Sequence, residues 1–112
     1  NASLLHIDRE QLTDEYKALL PDNAESITLF TNPRCGDAYF FDRCNMTVCY
    51  SFDEGKSWAG TKCIWGGKSS YSAMCFCEKS QRIYMLYEKG NKDCCEFGIS
   101  ACEFDLEWLL SN

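Results

Sequence analysis

Nine cysteines in 112 residues constrain this chain more than any other feature, and all of them lie beyond residue 34. They are Cys35, Cys44, Cys49, Cys63, Cys75, Cys77, Cys94, Cys95 and Cys102. Such a density marks a disulfide scaffold in an oxidising compartment, where cross-links supplement a small core. The expectation is a secreted, extracellular chain with a cysteine-free N-terminal third and a stapled remainder. Connectivity is not readable from the spacing. One cysteine of the nine is left unpaired or intermolecular, which leaves room for a disulfide-linked homodimer or a partner outside this stretch. Adjacent Cys94 and Cys95 should reach different partners. Cys75 and Cys77, two residues apart, should share one strand face. Structural zinc sites want closely spaced ligand pairs, twice. Only Cys44 and Cys49 approach that spacing, and the single histidine is His6, so neither metal nor cofactor is expected.

The length suits one domain, residues 1–112. No stretch approaches the ~20 apolar residues of a membrane span. The opening Asn1-Ala2-Ser3-Leu4-Leu5 fits a chain from which a signal peptide has been removed, or one trimmed at its start. Asn1-Ala2-Ser3 and Asn45-Met46-Thr47 are glycosylation sequons, in keeping with secretion. The net charge of −6 is unevenly spread. Residues 1–55 carry four basic and ten acidic side chains, 56–92 seven basic and two acidic, and 93–112 five acidic alone. Overall acidity argues against nonspecific nucleic-acid binding, which depends on neutralising phosphates. The lysines of the middle third either form a basic face or solvate the outer side of strands.

Local patterning predicts an α+β fold, an N-terminal helix packed on a twisted antiparallel sheet and stapled by disulfides. The helix is placed at about 9–20. Asp8 and Gln11 offer a capping box and Ile7 and Leu12 a hydrophobic staple. Leu12, Tyr16 and Leu19 form one apolar stripe, and Pro21 stops it. Residues 26–110 read as β-rich. Strands are placed at Ser26–Thr31, Ala38–Phe41, Asn45–Phe52 and Trp58–Trp65. Gly66-Gly67-Lys68-Ser69-Ser70 is read as a break, and Gly90-Asn91-Lys92-Asp93 as a turn. Tyr71–Cys77 and Arg82–Glu88 form a hairpin across a four-residue loop. Ile99–Leu110 reads as strand by alternation, against a short helix capped by Asp105.

One motif has a name. Ser51, Asp53, Gly55, Ser57 and Trp58 fill every defining position of S-x-D-x-G-x-[ST]-[WF]. This resembles the Asp-box found in sialidases, sortilin-type propellers and some small secreted ribonucleases. It covers eight residues, 51–58, and so identifies a local structure. Asp53 suits a turn acceptor, Gly55 a positive φ and Trp58 a cover folded back on the hairpin. The resemblance implies a structural role remote from any active site, so Asp53 is given no catalytic part. A closed propeller of at least four blades does not fit in this length.

Catalytic residues are not assigned. Serine–histidine or cysteine–histidine chemistry would depend on His6, near the terminus. A glycosidase needs two carboxylates across a cleft, and nothing in the spacing singles out a pair among Asp42, Asp53, Glu54, Glu78 and Glu88. The reading preferred from sequence is a secreted, non-enzymatic binding protein of effector, toxin, pheromone or ligand-trap type, acting on an extracellular protein or glycan. Its surface is placed at Trp58, Lys62, Trp65, Lys68 and Tyr71, where aromatic and cationic groups alternate on a loop-rich rim. The alternatives are a small secreted hydrolase of ribonuclease type and a cysteine-rich module of a larger ectodomain.

Overall fold

The structure, a computed structural model, describes residues 2–34, 44–90 and 97–111. Six strands follow one another in a single antiparallel meander. They are β1 (Ser3–Asp8), β2 (Ser26–Pro33), β3 (Cys44–Ser51), β4 (Gly60–Cys77), β5 (Arg82–Gly90) and β6 (Phe97–Phe104). Consecutive antiparallel strands need only short connections. The expected α+β layering is overturned: this is a mostly β half-barrel. The helices are α1 (Asp14–Lys17) and α2 (Leu106–Leu110), with a 3₁₀ turn at Arg9–Gln11.

The N-terminal helix fails for a local reason. The capping box does form, with the Asp8 amide donating to Gln11 Oε1 at 2.8 Å, but it caps the 3₁₀ turn. Leu12 then takes extended backbone, φ −97° and ψ 148°, so the apolar stripe is cut after its first member. Leu12 is buried while Leu19 is 40% exposed. The residues before this segment, Ser3-Leu4-Leu5-His6-Ile7-Asp8, have the period-two alternation of a strand and pair with Ser26–Thr31 of β2.

β4 explains the bend. Its leading part pairs with β3 and its trailing part with β5. The 66–70 segment is not a break but a stretch of shifted register inside one long strand, and irregularities of this kind sharpen local twist. They fold the sheet into two wings that share β4. Ser3 Oγ accepts from the Met74 amide at 3.2 Å, and the Thr31 and Ser72 hydroxyls lie 2.8 Å apart, so the trailing part of β4 returns against β1 and β2. Between the wings lie Ile7, Ile27, Leu29, Met46 and Val48 from one side, and Ile83, Met85 and Phe104 from the other. Each such side chain contributes about 1.5–3 kcal/mol when fully buried. The tail divides between its two readings. β6 ends at Phe104, and Asp105 Oδ1 then accepts from the Trp108 amide at 2.9 Å, capping α2 so that Leu106 and Leu109 enter the core.

The expected stapling is also corrected. Cys49, Cys63, Cys75, Cys77 and Cys102 are free. Strand register explains this. Cys49 pairs with Thr61, Cys63 with Thr47, Cys75 with Tyr84, Cys77 with Arg82 and Cys102 with Met85, so none of the five faces a cysteine across the ladder. Cys44 is disulfide-bonded. Cys35, Cys94 and Cys95, the strand placed at 38–41, residues 91–93 of the expected turn, and the sequon at Asn1 fall outside the described residues.

Candidate functional site

The Asp-box is a closed hydrogen-bonded loop between β3 and β4. Ser51 Oγ donates to Asp53 Oδ1 at 2.7 Å and accepts from the Gly55 amide at 2.9 Å. Ser57 sends its amide to Asp53 Oδ1 at 2.8 Å and its hydroxyl to Oδ2 at 2.5 Å. Gly55 stands at φ +86°. The bonds from Ser57 and then Ser51 hold the Asp53 carboxyl down at about 2, because each favours the charged form. Trp58 lies over Phe30, with ring centroids 5.9 Å apart, and is 46% exposed. Every oxygen of Asp53 is committed to the turn.

The other residues of the sequence-derived surface have separate environments. Lys62 is drawn to the end of α2. Its Nζ donates to the Trp108 carbonyl and to Ser111 Oγ and lies 4.5 Å from the centroid of the Trp108 ring. Trp65 folds back over Gly67, where an added Cβ would stand 2.8 Å from the indole nitrogen. Its Nε1 donates to the carbonyls of Lys68 and Gly90, and Lys89 Nζ sits 4.1 Å from its ring centroid. Trp58 and Lys62 are thus tied to different parts of the fold. Trp65, Lys68 and Tyr71 share the irregular stretch of β4.

Strand irregularities of this kind gather next to active sites, where they re-aim a side chain. Ser69 is fully buried, and its hydroxyl donates to the Glu88 carbonyl at 2.8 Å. The Tyr71 amide donates to Glu88 Oε1 at 3.1 Å. Between these two anchors the register slips, from Ser69 opposite Lys89 to Ser72 opposite Tyr87. Tyr71 emerges with 60% of its surface open. It borders a cleft of about 390 Å³ shared with Ala73, Leu86, Glu88 and Ile99. Glu88 is one of the carboxylates that the sequence offers. Its partnership with residue 71 depends on the slip in register, which no local pattern announces.

Two other polar clusters have different characters. His6 Nδ1 meets Thr28 Oγ1 at 3.1 Å, and its Nε2 meets Asp8 Oδ1 at 3.1 Å. Thr28 is only 5% exposed, which seals the hydroxyl from a substrate, and His6 belongs to β1 rather than to a loose end. Tyr16 donates to Asp105 Oδ2 at 2.8 Å, a bond that pushes the phenol up to about 12. Burial would raise Asp105, but the bonds from the Trp108 amide and the Tyr16 hydroxyl outweigh it and hold the carboxyl below its ordinary value. At the sequon, Asn45 Nδ2 donates to the Arg34 carbonyl at 3.2 Å, and Thr47 Oγ1 to the Asn45 carbonyl at 2.7 Å.

No protein-family profile matches the chain. Among solved structures it is similar to the Hadza microbial sialidase Hz136, over 96% of this chain, with a TM-score of 0.66 and 22% identity. The chain spans 18% of that protein's length. The likeness establishes a shared fold over nearly all of this chain.

Proposed function

We propose that this chain is the Asp-box-bearing part of a sialidase-type glycoside hydrolase and that Tyr71 is the residue that attacks the sugar. The observation that carries the reading is the placement of Tyr71, an exposed phenol on a slipped strand register whose backbone is pinned by Glu88. The fold likeness to a sialidase supports the reading, and the Asp-box is a motif that sialidases share with other families. Sialidases depart from the two-carboxylate pattern of most glycosidases by using a tyrosine nucleophile. The physical reason is legible. A sialoside carries its own carboxylate on the anomeric carbon, so an anionic nucleophile meets like-charge repulsion there. A phenol does not.

In this proposal the Tyr71 phenol oxygen bonds to the anomeric carbon as the bond from that carbon to the leaving oxygen breaks. The phenol proton passes through solvent to the departing oxygen, which leaves as the alcohol. Water then adds at the same carbon, releasing the sugar and restoring the phenol. Glu88 holds the Tyr71 backbone and is a positioning residue. The secreted setting and a glycan on Asn45 belong to the same proposal. They are checked by the intact mass of the native protein before and after deglycosylation.

The test is hydrolysis of a fluorogenic α-sialoside by the full gene product. Tyr71→Phe should lower kcat by on the order of 10³-fold or more, as removing a nucleophile does, with thermal stability unchanged. Turnover that survives Tyr71→Phe removes the assignment. Saturable binding of the sialoside without turnover would instead favour the non-enzymatic binding reading, in which exposed Tyr71 and Trp58 serve as contact residues.

A further inference from the structure

Two free thiols sit two residues apart near the end of β4. Cys75 is exposed and Cys77 half-buried. Side chains at i and i+2 of a strand point the same way. Cys75 lies opposite Tyr84 and Cys77 opposite Arg82, whereas their neighbours Met74 and Phe76 pack on the core. Both thiols therefore belong to the outer face of the second wing, made of the trailing half of β4 with β5 and β6. The surroundings suit anionic sulfur. Cys77 ends the strand, and the Ser80 hydroxyl, then its amide, draw the thiol below its ordinary value. The hydroxyls of Ser80 and Tyr84 lie 3.2 Å apart, so polar groups border the pair. Positive charge is close by, on Arg82 across from Cys77 and on Lys79 in the turn.

Spacing decides what the pair can hold. Two residues of strand, at about 3.3 Å each, set the Cβ atoms roughly 6.6 Å apart. A disulfide needs a Cβ separation of about 3.5–4.5 Å, so joining the sulfurs directly would break the strand. A bridging ion spans more. Two thiolate–metal bonds in line, each about 2.3 Å as for zinc, hold the sulfurs roughly 4.6 Å apart, and the Cβ–Sγ bonds make up the difference. Donor number then narrows the ion. Structural zinc takes four ligands, and among the described residues no group of three or more His, Cys, Asp or Glu side chains can hold a metal. Soft thiolates favour Cu(I), a monovalent ion that is satisfied by two of them. Two thiolates and one such ion carry a net charge of −1, which Arg82 and Lys79 offset.

We propose that Cys75 and Cys77 form a two-coordinate Cu(I) site on the outer face of the β4–β5 hairpin. On binding, each thiol gives its proton to solvent and a sulfur–copper bond takes its place. No electron is transferred. Arg82 stands six residues along β5 from Glu88, about 20 Å, so the site is remote from Tyr71 and does not rest on the glycoside reading.

The test uses the full gene product, reduced and kept under argon, with Cu(I) added as its acetonitrile complex. Iodoacetamide alkylation is followed at each cysteine by peptide mass spectrometry, since thiol reactivity follows access. Cu(I) should slow Cys75 and Cys77 together, by about tenfold or more, at a concentration that leaves exposed Cys63 reactive. Cys75→Ser should return Cys77 to its metal-free rate, and Cys77→Ser should do the same for Cys75. Unchanged rates at both thiols with Cu(I) present overturn the proposal, and this arm needs no variant. So does protection of one thiol that survives loss of the other, or a native disulfide between the two. No sugar enters the readout, so its failure is distinct from failure of the hydrolysis assay.

Discussion

Asp53 shows how a motif residue can look catalytic and be structural. Its carboxylate takes up the hydroxyls of Ser51 and Ser57 and the Ser57 amide, which lowers its proton affinity to about 2. A carboxyl held below its ordinary value contributes stability that is complete above about pH 4 and is lost as pH falls through its folded value. Acid unfolding followed by circular dichroism should therefore show a loss of stability between about pH 4 and pH 2 that is absent in Asp53→Asn. Tyr16 gives the opposite sign. Its phenol, raised to about 12 by the Asp105 bond, favours the folded state below about pH 10, and that contribution disappears as pH rises through the folded value. Tyr16→Phe should remove one late-titrating phenolate from the alkaline absorbance curve. Among the thiols, the Ser80 hydroxyl and amide lower Cys77, while burial raises Cys102. Maleimide labelling near neutral pH should modify Cys77 well before Cys102, because the thiolate is the reactive form. At this scale the sequence was informative where chemistry is local. The Asp-box turn could be read from five positions, and Tyr71 was already among the candidate contacts. Its pairing with Glu88 could not be read, because two strands must align, with a slip, before they meet.

The same contrast appears between elements. Strands β2, β3 and β5 and the hairpin loop 78–81 lie close to where alternation and turn residues put them. β1 was hidden because Asp8, Gln11 and Leu12 supply helix-start signals that are real but serve a single 3₁₀ turn. The glycine pair misled in another way. Gly66 and Gly67 resemble a strand break, whereas Gly67 makes room for the Trp65 ring in continuous strand. Gly67→Ala should displace that ring and alter tryptophan fluorescence. Gly55→Ala should cost about 1–2 kcal/mol, the penalty of a side chain in left-handed backbone, measured by urea unfolding. A change near zero would mean that the Asp-box tip relaxes without strain.

For the whole molecule, the two wings are joined by β4 and by the core they enclose. Met85 is 1% exposed at the centre of the second wing, and Met85→Ala should cost about 2–5 kcal/mol. The cysteine count pointed to covalent staples, but register keeps the five free thiols from facing one another, and a composition signal carries no information about register. Nor does composition reveal that the half-barrel is matched inside a much larger protein. Acid quenching during turnover of an α-sialoside by the full gene product tests the proposed bond between Tyr71 and the sugar. Mass spectrometry of the digest should find the peptide bearing Tyr71 heavier by one sialosyl unit, and in Tyr71→Phe the adduct should be gone. Turnover with that peptide unmodified, or with the sugar on another residue, would rule Tyr71 out as the nucleophile.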